Sequence, residues 1–136
     1  MLEKAPKILK IKSDKKELQK VEQFLGKVFA AYDLPSDNFS KVLLCVNEAV
    51  VNSIYHGNKN DNDKQVSIEV KCIDKKLDIK ISDEGYGFNF STVEDPTTSN
   101  NIKRETGRGI HIIKSLSDEI EFKNRGKCVR FKVKCL

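Results

Sequence analysis

PSDNFSKVLLCVNEAVVNSIYHGNKN, residues 35–60, is the stretch on which the reading of the fold turns. Phe39, Val42, Leu43, Val46, Val50 and Ile54 recur at spacings of three and four, one apolar stripe of a long helix over residues 37–57. Ser36 or Asp37 is placed to cap its start, and His56-Gly57-Asn58 supplies a basic last turn and a glycine stop. At about 100° per residue, Glu48 and Asn52 fall opposite the stripe and roughly 40° apart. Leu44, Val51 and Tyr55 flank them there. A carboxylate and a carboxamide set in a second apolar patch suggest a ligand pocket. A helix buried on both faces, with its polar groups satisfied locally, is the alternative.

Outward from this helix the chain alternates between strand and helix patterns. Lys7–Ile11 reads as a strand, and Ser13-Asp14 opens a helix to about Tyr32 with Leu18, Val21, Phe24, Leu25, Val28 and Phe29 on one face. After the polar turn 57–64, two alternating strands, 65–73 and 76–82, flank a turn at Ile73-Asp74-Lys75-Lys76. Short strands near 119–123 and 128–135 close the chain, and a third helix is expected over 107–117. The expected architecture is α+β: a two-layer sandwich, helices on one face of a mixed, mainly antiparallel sheet.

Two glycine pairs interrupt the pattern. Asp83-Glu84-Gly85-Tyr86-Gly87 sits at a strand end, where glycines permit positive φ and let a ligand approach the main chain. Asp83 is placed to accept a hydrogen bond from a ring amine, although a simple Asp-Gly reversal has the same sequence. Residues 89–106 read as a long polar loop, of a length usual for lids, binding loops or disordered segments. Thr106-Gly107-Arg108-Gly109 follows, and a glycine-rich loop entering a helix presents free N–H groups to phosphate, with Lys103, Arg104 and Arg108 adding positive charge.

Composition narrows the partners. The 136 residues read as one domain spanning 1–136, and 25 Lys+Arg against 20 Asp+Glu leave a net charge of +5. The lysines are dispersed, and no aromatic-studded basic patch points to direct nucleic-acid binding. No apolar run reaches membrane-span length, and the N-terminus lacks a signal-peptide core, so a cytoplasmic location without membrane association is expected. Cys45, Cys72, Cys128 and Cys135 lack CxxC spacing and read as free thiols in a reducing compartment.

Glu48-x-x-x-Asn52, Asp83-x-Gly85-x-Gly87 and Gly107-x-Gly109, in this order over about Lys41–Phe131, resemble the N box and two glycine boxes of the GHKL (Bergerat-fold) ATPases. Asn47-Glu48-Ala49-Val50 through His56-Gly57-Asn58, Asp95-Pro96-Thr97, and the stretch Gly107–Glu119 resemble the bacterial anti-sigma-factor serine kinases within that superfamily. The resemblance implies Asn52 as ligand to Mg²⁺, Glu48 as general base, and Asp83 as acceptor from the adenine amine. It further implies Gly85 and Gly87 beside the purine of ATP or ADP, Gly107 and Gly109 at the phosphates, and Arg104 or Arg108 stabilising charge. The implied function is a serine-protein kinase that binds a sigma factor and phosphorylates a STAS-domain antagonist, as a homodimer. Alternatives are a catalytically silent ATP-binding regulatory module and a kinase that contacts no sigma factor. Two departures stand out: Lys127-Cys128 replace the Ser or Thr many relatives place at the last strand, and His111 stands where some second glycine boxes have a third glycine. His56 reads as a pocket-edge residue of the N box.

Overall fold

The computed structural model describes residues 7–59, 61–85, 101–123 and 127–134; of His56 and residues 101–108 only the backbone is described. Five strands form one sheet: β1 (Lys7–Lys12), β2 (Gln65–Ile73), β3 (Lys76–Asp83), β4 (Glu119–Lys123) and β5 (Cys128–Lys134), in the spatial order β1-β2-β3-β5-β4. Every pairing is antiparallel. The expected mixed sheet is thus purely antiparallel among the described residues, because β5 turns back to lie between β3 and β4.

Alternation decides which face is which. Val66, Ile68 and Val70 of β2, Leu77, Ile79 and Ile81 of β3, and Phe131 and Val133 of β5 are fully buried. Their neighbours in sequence, Lys71, Lys80 and Lys134, are exposed. Against the apolar face lie α1 (Leu18–Ala31), α2 (Phe39–Asn52) and α3 (Asn101–Leu116). Val21, Leu25, Val28 and Phe29 of α1 and Val42, Val46, Val50 and Ile54 from α2 and its continuation join that core. Each buried aliphatic side chain contributes about 1.5–3 kcal/mol relative to exposure, which fixes the layer order. Phe29 and Phe39 lock α1 to the start of α2 edge-to-face, with ring centroids 5.1 Å apart.

The helix ends differ from expectation in instructive ways. Asp14 caps the 3₁₀ turn before α1 by accepting from Lys16 N–H at 2.9 Å. Neither Ser36 nor Asp37 caps α2; both lie inside a 3₁₀ turn, Ser36–Asn38, entered from extended Pro35. α2 does not end cleanly at its glycine but continues as a π turn, Ser53–Gly57, closed by Asn58 N–H to Ser53 O at 2.7 Å. The extra residue of a π turn rotates the last positions away from the α-helical series, and such turns recur at functional sites. The hairpin 73–76 forms as expected, with Asp74 and Lys75 both at positive φ, 50° and 67°. Cys45, Cys72 and Cys128 are free thiols, and burial pushes Cys45 up to about 11. Among the described residues, no helix is long and apolar enough to cross a membrane.

Candidate nucleotide site

Glu48 and Asn52 lie one turn apart on the side of α2 that meets α3. A Cβ added to Gly109 would stand 3.0 Å from Glu48 Oε2 and 3.2 Å from Asn52 Nδ2. The α3 backbone therefore rests directly on both polar groups, and a side chain at 109 would require Glu48 and Asn52 to give way by a few tenths of an ångström. Asn52 is buried and Glu48 half-buried. The apolar neighbours do not close a pocket around them: Leu44 and Tyr55 are 42% and 37% exposed. Among the described residues, that patch faces solvent.

The second glycine box departs from expectation. The third helix begins at Asn101, so Gly107, Arg108 and Gly109 lie within it rather than in a loop at its start. Residues 101–106 (NIKRET) contain enough helix formers to extend the helix backward, against the cost of about 1 kcal/mol for each internal glycine. In this conformation the N–H groups of residues 107–109 point along a helix interior, so they are not offered to an anion as the free donors of a first turn are. The polar segment 89–106 is thus helical from Asn101 onward. Its remainder, with Gly87 and Asp95-Pro96-Thr97, lies outside the described residues, as do the side chains of Lys103, Arg104 and Arg108.

At the other end of α2 the chain crowds around Asp83. Its Oδ1 accepts from Gly85 N–H at 2.8 Å, and its own N–H donates to Lys127 O at 2.8 Å. The position where relatives carry Ser or Thr thus reaches Asp83 through a main-chain carbonyl, which any residue supplies. Burial pushes the Asp83 carboxyl above its usual range, against the opposing effects of the Gly85 N–H and of Lys127 and Lys64. Gly57 and Gly85 make the packing possible. A Cβ on Gly57 would fall 2.3 Å from Asp83 Oδ2, and one on Gly85 would fall 1.8 Å from the Gly57 carbonyl oxygen. Neither glycine has a left-handed φ. Gly85 is there for close backbone approach, not for the positive φ the sequence suggested.

Sequence reasoning missed two residues. Gly57 looked like a helix stop and instead forms the floor under Asp83. Asn58, read as part of the same stop signal, is 1% exposed, and its side chain makes three hydrogen bonds (described below). An Asn directly after a glycine reads the same whether exposed or buried, so no local signal marked it. His111 is exposed, and the side chain of His56 lies outside the described residues.

The profile of the histidine kinase-like ATPase domain matches residues 11–133, nearly the whole chain. The chain belongs to this family. It is 34% identical over 110 residues to an anti-sigma F factor of Clostridium botulinum, covering 77% of each chain. It is 31% identical over 103 residues to the serine-protein kinase RsbW of Staphylococcus aureus, covering 71% of this chain and 65% of that one. The crystal structure of the RsbU and RsbW domains of a Mycobacterium tuberculosis protein superposes with a TM-score of 0.65 over 96% of this chain and 32% of the other. At 11% identity this likeness concerns the fold alone.

Membership in a kinase-like ATPase family sets a nucleotide and a divalent cation against the residues present. Asp83 offers a half-buried carboxylate with one oxygen already oriented by Gly85 N–H, which suits an amine donor. Asn52 offers an amide oxygen, a hard ligand. No group of three or more His, Cys, Asp or Glu forms a metal cluster among the described residues. A cation held at Asn52 would take its other ligands from phosphate and water, which is how Mg²⁺ is ordinarily held. These two ends fit their groups. Residues 107–109, inside α3, do not offer the free N–H groups that a phosphate cradle requires in this conformation.

Proposed function

We propose that the chain is an ATP-dependent serine-protein kinase that also sequesters a sigma factor, acting as a homodimer on a STAS-domain antagonist of that sequestration. One observation carries the reading: the order of the chemistry along α2. Gly57 touches Asp83 at one end, Asn52 lies between, and Glu48 is farthest along. At 1.5 Å per residue to Asn52 and less through the π turn Ser53–Gly57, Glu48 and Gly57 stand roughly 12 Å apart along the axis. That is the scale of an extended nucleoside triphosphate, so adenine, metal-bound phosphates and attacking hydroxyl fall in sequence against one helix. The names of the Clostridium and Staphylococcus relatives, an anti-sigma factor and a serine-protein kinase, support the same assignment.

In this reading Asp83 accepts from the adenine 6-amino group and rejects guanine, whose carbonyl at that position would face a carboxylate. Gly85, and Gly87 by extension, keep the main chain flat beside the purine. Mg²⁺ on Asn52 would neutralise phosphate charge as transfer proceeds. Glu48 takes the proton from the substrate serine. Gly107 and Gly109 hold the phosphates once released from the helix, with Arg104 or Arg108 adding charge. Transfer then depends on positioning and electrostatics.

The silent-module alternative is favoured by one feature, the enclosure of Gly107–Gly109 within α3. Incubating the purified protein with radiolabelled ATP and its candidate STAS-domain antagonists discriminates the two. Label on an antagonist serine is the expected result. Nucleotide binding without transfer to any antagonist would replace the kinase reading with the binding module.

A further inference from the structure

Three consecutive N–H groups define the turn that carries Asp83. Asp83 N–H donates to Lys127 O at 2.8 Å, and Gly85 N–H to Asp83 Oδ1 at 2.8 Å. The first partner directly precedes the neighbouring strand β5, and the second belongs to the turn itself. The middle one, Glu84 N–H, donates to Asn58 Oδ1 at 2.9 Å, across 26 residues of sequence. Among the described residues, Asn58 is the side chain from outside the turn that holds its backbone.

The amide end of Asn58 is equally committed. Nδ2 donates to Ser13 Oγ at 2.6 Å and to Gln65 O at 3.0 Å. Ser13 Oγ in turn donates to Lys64 O at 2.9 Å, and Ser13 itself is 1% exposed. The main chain of Asn58 closes the π turn on Ser53 O and accepts from Asp61 N–H at 3.1 Å. All the hydrogen-bonding atoms of this buried side chain are therefore engaged, and the amide cannot flip without pairing donor with donor at Glu84. A fully satisfied buried network of this kind holds one geometry.

We propose that Asn58 is a positioning residue for base recognition: it fixes the Asp83–Gly85 turn so that the Asp83 carboxylate meets the purine 6-amino group. This rests on the reading of Asp83 given above. Freed of Asn58, the Glu84 peptide can rotate, and the Gly85 N–H that orients Asp83 Oδ1 moves with it. The consequence is selective. Contacts to ribose and phosphates lie outside this turn, and packing of the purine face on Gly85 needs no oriented carboxylate, so a ligand lacking the 6-amino group should depend little on Asn58.

The test is a calorimetric comparison of Mg-ADP with the Mg-diphosphate of purine riboside, which lacks only that amine, on the parent and on Asn58→Ala. The parent should favour ADP about tenfold or more, the range of one hydrogen bond to a charged group. In Asn58→Ala the preference should shrink to about threefold or less, with affinity for the purine analogue held within about twofold. Equal losses for both ligands, or an undiminished preference, would overturn the positioning role and leave Asn58 as structural. No preference in the parent would instead remove the Asp83 reading and this inference with it. Should Asn58→Ala lack the parental far-ultraviolet circular dichroism spectrum, Ser13→Ala decides with the same two ligands. It removes one anchor of the Asn58 amide, so a selective loss for ADP supports the proposal and a parallel loss or none overturns it.

Discussion

Replacing Gly57 by alanine puts one methyl group under the Asp83 carboxylate, proposed above to read the base. The backbone there is outside the left-handed region, so the substitution is strained only by what it meets. A Cβ would lie 2.3 Å from Asp83 Oδ2, 2.5 Å from its Cγ and 2.9 Å from Oδ1, so the carboxylate must retreat by about 1 Å to regain ordinary contact. It cannot retreat freely, because Gly85 N–H holds Oδ1 at 2.8 Å and Gly85 packs on the carbonyl of Gly57. Overpacking costs about 1–3 kcal/mol, offset by about 0.5–1 kcal/mol for removing a glycine from a helical segment. A net loss near 1 kcal/mol lowers Tm by about 3–5 °C in a domain of this size. Binding should suffer more: a hydrogen bond to a charged group is worth about 1.5–3 kcal/mol, so Mg-ADP affinity should fall by about 10- to 100-fold. Thermal unfolding by circular dichroism and calorimetric titration read the two quantities on one sample. Parental affinity at a parental Tm would show instead that the carboxylate moves aside without consequence and that Gly57 is not needed beneath it.

Asp83→Asn should lose most Mg-ATP binding, because the amide can present a donor to the adenine donor; equal affinity of the parent for ATP and GTP in the same titration would contradict the role of Asp83. Asp78 forms a two-pronged pair with Arg130, and that bond is the leading cause holding its carboxyl below the usual range. A depressed carboxyl contributes stability above its unfolded pKa that is lost as pH falls through its folded pKa. Asp78→Asn should therefore cost about 1–3 kcal/mol at pH 7, with the gap to the parent closing below about pH 4 in urea titrations. Lys75 occupies a left-handed conformation at φ 67° in the β2–β3 turn. Lys75→Gly should raise stability by about 1 kcal/mol in the same assay, as expected where a side chain is removed from that region.

Much of the architecture was legible because periodicity and burial agree. The α2 stripe Val42, Val46, Val50 and Ile54 could be read from spacing, and each of these residues is fully buried. The strands were legible from alternation alone. What could not be read was contact between distant backbones. Gly57 and Gly85 have ordinary local signatures, a helix stop and a strand-end turn, and only the antiparallel arrangement brings them together. The same holds for Asn58, whose partners Ser13, Gln65 and Glu84 lie in three different segments. The start of α3 was misplaced because Gly107 and Gly109 were taken as a break. Tertiary packing on Glu48 and Asn52 instead favours a small residue inside the helix.

The proposed kinase rests on Glu48 as the base of a phosphotransfer whose nucleotide is held by other residues. Glu48→Gln keeps the shape of the side chain and removes the proton acceptor, and the decisive measurement is serine phosphorylation of the antagonist at saturating Mg-ATP by this variant and the parent. Nucleotide affinity should be nearly unchanged, while transfer should fall by about 10²–10⁴-fold, the usual contribution of a positioned base. Asn52→Ala serves as the contrast, losing Mg-dependent affinity and transfer together. Parental turnover by Glu48→Gln would contradict the account and leave Glu48 as a structural group beneath Gly109.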